Sequence, residues 1–310
     1  MSLPLSEQPA SASTRPAHRG RILAAACLLL LAAAAVLCWR PWRPVPAIPA
    51  ITVVTATNPR DGATLVWVPA GPFRMGEMRT GVELRTAYEQ SGWQGVLSVA
   101  REALRGGGDT IDAPPHTVYL DGYWLYRTEV TVAQYRRFCR ATSRTMPPPP
   151  EWKWQDTHPI VNVTWDDAAA YAAWAGAALP TEAQWEKAAR GTDGRAYPWG
   201  DAWDSSKVVH DTVSTRPVGS ITAGASPYGA LDMAGNAWEW CADWSDPAYY
   251  SSAPPHNPPG PVTGRTRVVR GGSWSIYDPG NFRASCRFNY DPTSGDNDDG
   301  FRCVLRSPGP

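Results

Sequence analysis

From Gly191 onward the chain has no stretch that can settle into a helix of ordinary length. The segments "YPWGD", "SPYGALDMAGNAWEW", "DPAYY" and "NPPGPVTG" follow one another, each with Gly, Pro, Asn or Asp where the backbone must turn. Only short strands fit between them, such as "RVVRGGSW" and "GFRCVLR". Irregular backbone in that quantity fits inside one domain only if its peptide groups find partners and its loops are functional or tied down. Sixteen Trp in 310 residues supply the bulk that a loop-rich core requires. Trp also lines carbohydrate and peptide surfaces.

Upstream the signals are more regular. "TLVWVPAGPFRMG" and "HTVYLDGYWLYRTEVT" alternate apolar and polar residues and predict strand. "TVAQYRRFCRAT" predicts a helix: Thr131 and Gln134 have capping-box spacing, and Val132, Tyr135, Phe138 and Cys139 share one face. "TWDDAAAYAAWAG" predicts a second, capped by Thr164 and stopped at Gly176. "TEAQWEKAARG" predicts a third, with the Thr181 and Gln184 pair and a stop at Gly191. Residues 77–112 look like an insertion with a short helix of its own, "GWQGVLSVAREALRGGG". The sum is an α+β chain of few helices, short strands and long loops.

Residues 22–39, "ILAAACLLLLAAAAVLCW", carry no charge and approach the roughly 20 residues a membrane helix needs. The reading adopted is an uncleaved signal anchor in a single-pass membrane protein. Residues 1–21 form the cytoplasmic tail and 40–57 a Pro-rich linker. The domain 58–310 stands outside the cytoplasm. The rival is a cleaved signal peptide. Twenty-nine acidic and 29 basic residues cancel, so nucleic acid is not an expected partner. None of the six Cys forms a CxxC pair, which argues against a zinc or dithiol motif. One or two disulfides are open to Cys139, Cys241, Cys286 and Cys303.

Eight ordered segments, "WVPAGPFRMG", "TEVTVAQYRRF", "PIVNVTWDDAAAYAAWAG", "LPTEAQWEKAARG", "YPWGD", "YGALDMAGNAWEW", "RVVRGGSW" and "GFRC", together resemble the formylglycine-generating enzyme (sulfatase-modifying factor) family. The resemblance runs from about Thr64 to Arg306. It implies a variant of the C-type lectin fold, loop-rich and stabilised by calcium. Enzymes of the family oxidise a substrate cysteine with two copper-binding cysteines, because thiolates hold Cu(I). The matching positions here are Ile276 and Asn281, so copper is not expected. Cys286 and Cys303 match structural cysteines of the family, but their family partners fall at Ala172 and Ala189. The resemblance further implies a calcium site at Asn236, Ala237 and Glu239, two hard-oxygen side chains and a backbone carbonyl. Glu129 also matches a family acidic position and is expected to be structural.

Between Ser273 and Cys303 lie three clusters of mixed residues with no periodicity: Ser275, Ile276, Tyr277 and Asp278; Phe288, Asn289, Tyr290 and Asp291; Asp296, Asn297, Asp298 and Asp299. From Ser275 to Val304 there is no Lys, Glu, Gln, Met or Trp. Those are residues that randomising the adenines of Asn codons cannot reach. This resembles the variable region of proteins diversified by diversity-generating retroelements. The alternative is an ordinary family loop, where Asn and Asp serve turns. Tyr and Phe for contact area with Ser, Asn and Asp for adaptable hydrogen bonds is a paratope mixture. The twelve residues are therefore expected to contact an extracellular protein or glycan. The rival function is a formylglycine-generating oxidoreductase or maturation factor using a chemistry without the cysteine pair. A third reading is a module whose loops bind nothing.

Overall fold

The computed structural model describes residues 52–77 and 115–305, all within the unit Ile51–Pro310. The expected tail, the membrane span at 22–39, the linker as far as residue 51 and the insertion helix lie outside the described residues. Among the described residues no helix is long and apolar enough to cross a membrane.

Two sheets and a hairpin carry the chain. The strands β1 (Thr55–Thr57), β2 (Thr64–Val68), β5 (Tyr123–Tyr126) and β10 (Val304–Leu305) form one antiparallel sheet in the order β1-β2-β5-β10. The strands β3 (Gly71–Met75) and β4 (His116–Leu120) pair as the hairpin. A second sheet holds β6 (Trp238–Trp244), β7 (Arg267–Arg270), β8 (Arg287–Tyr290) and β9 (Asp299–Gly300) in the order β8-β7-β6-β9, with β9 parallel to β6. Each of the two alternating stretches expected to be strand resolves into two strands that belong to different pairings. The second breaks at Asp121–Gly122. A Cβ on Gly122 would stand 2.4 Å from the Trp67 ring, so only glycine lets this corner close on the packed Trp67–Trp124 pair.

The helices form where the capping residues place them: α1 (Val132–Thr142), α2 (Trp165–Trp174) and α3 (Glu182–Arg190). Each begins with a reciprocal capping box, which satisfies backbone donors that a helix start leaves open. In α1 and α3 the pairs are Thr131–Gln134 and Thr181–Gln184. In α2 the reciprocal partner of Thr164 is Asp167. Gly191 ends α3 at φ +69°, a conformation glycine adopts without strain. The core aromatics interlock across elements: Tyr135 stacks on Tyr171 with centroids 5.9 Å apart, and Phe301 packs edge-on against both. Asp61, itself buried, accepts from the hydroxyls of Tyr126 and Tyr171 at 2.7 and 2.6 Å.

Buried ion pairs fix the places where the C-terminal loops leave and rejoin the sheet. Arg270, at the end of β7, is fully buried against Glu186 and Glu182 of α3. Arg287, at the start of β8, makes a two-pronged contact with Glu182 at 2.7 and 2.8 Å. Arg302, beyond β9, makes another with Glu239 of β6 at 2.6 and 2.7 Å. Its guanidinium also donates to the carbonyls of Tyr126, Arg127 and Leu231. Charges taken out of water this completely persist only when paired and hydrogen-bonded.

Candidate functional site

The three clusters meet. Ser273, at the end of the β7 frame, and Ser275 both donate to one oxygen of Asp298, at 2.9 and 3.2 Å. The indole of Trp274 between them donates to the Asn297 carbonyl at 3.2 Å. The first cluster is thereby tied to the third. Tyr290, from the second, is surrounded by Asp299, Asp298 and Asp296, and burial with those charges pushes its phenol well above the usual range. The backbone of the 211–212 loop runs beside the first cluster: Asp211 donates to the Ile276 carbonyl and Thr212 to that of Trp274.

Not every expected contact residue is available to a ligand. Tyr277 is 79% exposed, and Ser275, Asp296 and Asn297 lie on the surface. Asp278 turns inward to accept from Gly280 at 2.8 Å and opens the turn Pro279–Phe282. Asp291 is occupied by the amide and hydroxyl of Thr293 at 2.9 and 2.7 Å. Phe288 packs on Trp238 and Tyr290 on Trp240, each half-buried. Asn289 pairs with Val268 in the sheet, and Ile276 fills a gap beside Phe282. For Asp278, Asp291, Phe288, Tyr290 and Ile276 the fold itself uses much of the side chain that the sequence offers to a ligand, and for Asn289 it fixes the backbone.

Asp299 is the largest departure. Expected as a contact residue, it is fully buried in β9 opposite Trp238, and neither carboxylate oxygen has a hydrogen-bond partner. Burial, then the neighbouring Asp298 and Asp296, push its carboxyl up to about 8. Asp298 is also raised by burial, with the Ser273 and Ser275 hydroxyls opposing.

In the Asn236, Ala237 and Glu239 set expected to hold calcium, the side-chain oxygens already have partners within the fold. Both Glu239 oxygens are taken by Arg302, and one also accepts from the Trp185 indole at 2.7 Å. The Asn236 amide accepts from the Arg216 N–H and donates to Glu129, and its carbonyl accepts from Trp274. Ala237 packs in the interior with its N–H on the Gly235 carbonyl. The oxygen left open is Oε2 of Glu129, fully enclosed, with the Asp232 carboxyl close by. Burial and Asp232 hold Glu129 well above the carboxylate range. Two buried carboxyls this close need a proton or a cation between them, and their hard oxygens suit calcium. Among the described residues no cluster of three His, Cys, Asp or Glu side chains converges as a metal site.

Copper fits poorly. Ile276 and Asn281 offer no thiolate, and Cys139, Cys241 and Cys303 are buried thiols that burial pushes up, away from the reactive thiolate. Cys286 is buried as well. Ala172 and Ala189 occupy the core with 1% and 0% exposure, Ala172 in the cluster that contains Cys303.

Residues outside the expected set complete the surface. Trp152 meets Trp274 edge-on at 5.1 Å, and Val213 is 89% exposed beyond Thr212. Neither has a local sequence signal; both arrive through long-range packing.

Comparison with known proteins places this geometry. The model of the sulfatase-modifying factor enzyme 1-like domain matches residues 52–307. A formylglycine-generating enzyme of Streptomyces coelicolor is 43% identical over 166 residues, 47% of this chain and 52% of that protein. One of Thermomonospora curvata is 31% identical over 68% of this chain and 93% of its own length. The chain thus spans about half of the first and nearly all of the second. Among solved structures, PvdO of Pseudomonas aeruginosa superposes with a TM-score of 0.64 at 22% identity, over 81% of this chain and 97% of that one. Treponema denticola variable protein 1 does so at 0.60 and 21%, over 83% of this chain and all of the other. The fold is C-type lectin-like, α+β, and the chain belongs to the formylglycine-generating enzyme (sulfatase-modifying factor) family.

Proposed function

We propose that this domain is a ligand-binding member of the family, anchored in a membrane through residues 22–39 and displaying its 273–303 loops outside the cytoplasm. The ligand is an extracellular protein or glycan, and the loops are diversified by a retroelement. One observation carries the binding reading. Three separate clusters of Ser, Tyr, Asn and Asp converge on one face, while buried arginines clamp the sheet at Arg270, Arg287 and Arg302. A clamped frame lowers the ordering cost of binding. A display array probed with the full chain and with a Tyr277→Ala variant tests it. Capture by the full chain that the variant loses supports the reading; equal capture by both refutes it. For diversification the test is the neighbouring DNA: a reverse transcriptase gene beside a near-repeat of codons 273–303, differing at adenines.

The enzyme reading rests on the 43% identity to a formylglycine-generating enzyme. It requires a chemistry that does not use thiolates at positions 276 and 281. Incubating the chain with a sulfatase-type cysteine peptide, copper and oxygen, then weighing the peptide, decides it. Conversion to formylglycine would overturn the binding reading as the sole function. Calcium is proposed at Glu129 and Asp232.

A further inference from the structure

We infer that the face built by Asp296, Asp298 and the Trp152–Trp274 pair seats a cationic side chain, Lys or Arg, of a polypeptide ligand. This rests on the binding reading and narrows it to a ligand class.

Charge is the first observation. Between Ser273 and Gly300 there are five Asp and two Arg. Both arginines, Arg283 and Arg287, are buried, at 5% and 4% exposure, with Arg287 spent on Glu182. The segment's own surface charge is therefore acidic, and the exposed base nearest to it in sequence, Arg265, acts on Asp291. The second observation is independent. Asp299 is wholly buried directly behind this surface, has no partner for either oxygen, and has Asp298 and Asp296 as its nearest like charges. A buried carboxyl with no hydrogen-bond partner in a finished fold calls for an explanation, and a positive charge seated on Asp298 and Asp296 would let it ionise in place.

Aromatic rings flank the acids. The Trp274 indole is fixed against Asn297, one residue from Asp298, and Trp152 packs on its edge. Indole faces beside carboxylates attract Lys and Arg through both their charge and their alkyl stems. A metal ion is the weaker candidate, because one Asp298 oxygen already accepts from the Ser273 and Ser275 hydroxyls. A neutral glycan would leave the charge unanswered. The exposed Tyr277 and Val213, which follow the paired backbones of Ile276 and Thr212, give a polypeptide further apolar contact.

The test titrates the full chain with a lysine-rich decapeptide, an acidic decapeptide and an uncharged chitooligosaccharide, followed by calorimetry at low salt. Only the basic peptide should bind. Its affinity should fall at least tenfold in Asp296→Asn/Asp298→Asn and in Trp274→Ala, and stay unchanged in Asp121→Asn, which removes an exposed acid elsewhere. Melting curves confirm that the variants fold, and Asp296→Asn alone alters only an exposed side chain. No binding of the basic peptide, or binding that ignores the two Asp substitutions, overturns the inference. Binding of the acidic or neutral probe that Tyr277→Ala and Trp274→Ala abolish overturns it while leaving the binding reading intact. A response to neither variant by any bound probe removes both.

Discussion

Replacing Asp299 by Asn should change how stability varies with pH, and by a calculable amount. The carboxyl has an ordinary value of 3.8 and is pushed up to about 8 in the fold. The native state therefore keeps a proton that the unfolded chain gives up. Below pH 4 both states are protonated and the group contributes no pH dependence. As pH rises the unfolded state ionises while the folded state resists, and stability falls by about 1.4 kcal/mol per unit. The loss levels off above pH 8, when Asp299 ionises in the fold as well. Over the whole window it reaches about 6 kcal/mol as an upper bound, comparable to the entire stability of many domains. Asn keeps the size and removes the titration. Its unpartnered amide costs about 1–3 kcal/mol, but equally at every pH. Urea unfolding followed by tryptophan fluorescence at pH 5, 6, 7 and 8 reads the difference between variant and parent. The variant should gain on the parent by about 1 kcal/mol or more with each unit. Parallel curves would refute the reasoning, because they would mean that Asp299 is ionised and compensated throughout.

Three other perturbations follow from the frame. Arg302→Met leaves Glu239 buried without its counter-ion and takes a guanidinium donor from three carbonyls. A loss of about 3–5 kcal/mol from the broken pair alone should abolish soluble folded protein, and adding Glu239→Gln should recover part of it, as near-ultraviolet circular dichroism would report. Millimolar calcium should raise the melting temperature, by roughly 2–4 °C for each kcal/mol of binding. Glu129→Gln should remove that rise, and an unchanged melting temperature in the parent would assign a shared proton to Glu129 and Asp232. Gly122→Ala forces a methyl into the Trp67 ring and the Ala70 N–H; overpacking of this kind costs about 1–3 kcal/mol, measurable as a lower urea midpoint.

What the sequence disclosed depended on how locally each feature is determined. The three helices were legible because capping boxes and stops lie within one turn of the residues they organise. Thr164 showed its cap role while Asp167, its reciprocal partner, went unread because it is neither Glu nor Gln. The family frame was legible in its segments, and so was the position of the three clusters between them. Their division of labour was not. Asp278, Asp291 and Asp299 are the same residue type in similar settings, yet two cap turns and one is buried, and only the closed fold decides which. The surroundings of the Asn236, Ala237 and Glu239 set were illegible for a related reason. Spacing shows that Asn236 and Glu239 can face one way, but not that Arg302, 63 residues on, takes both Glu239 oxygens. Arg270 and Arg287 find their acids 84 and 105 residues away, beyond any periodicity.

The last strand of the described chain closes the first sheet. Val304 pairs with Leu125 of β5 and exchanges two hydrogen bonds with Ala178, while Arg302 caps β5 from 176 residues away. During synthesis, then, β5 must wait with one edge unpaired until Val304 and Leu305 have emerged. Pairings this distant in sequence slow folding, and an open strand edge invites other chains in the interval. The protein's yield in a cell should thus depend on chaperones that shield β5. Substitutions near Val304 should show up first as aggregation during synthesis, and only afterwards as lowered stability of molecules that have already folded.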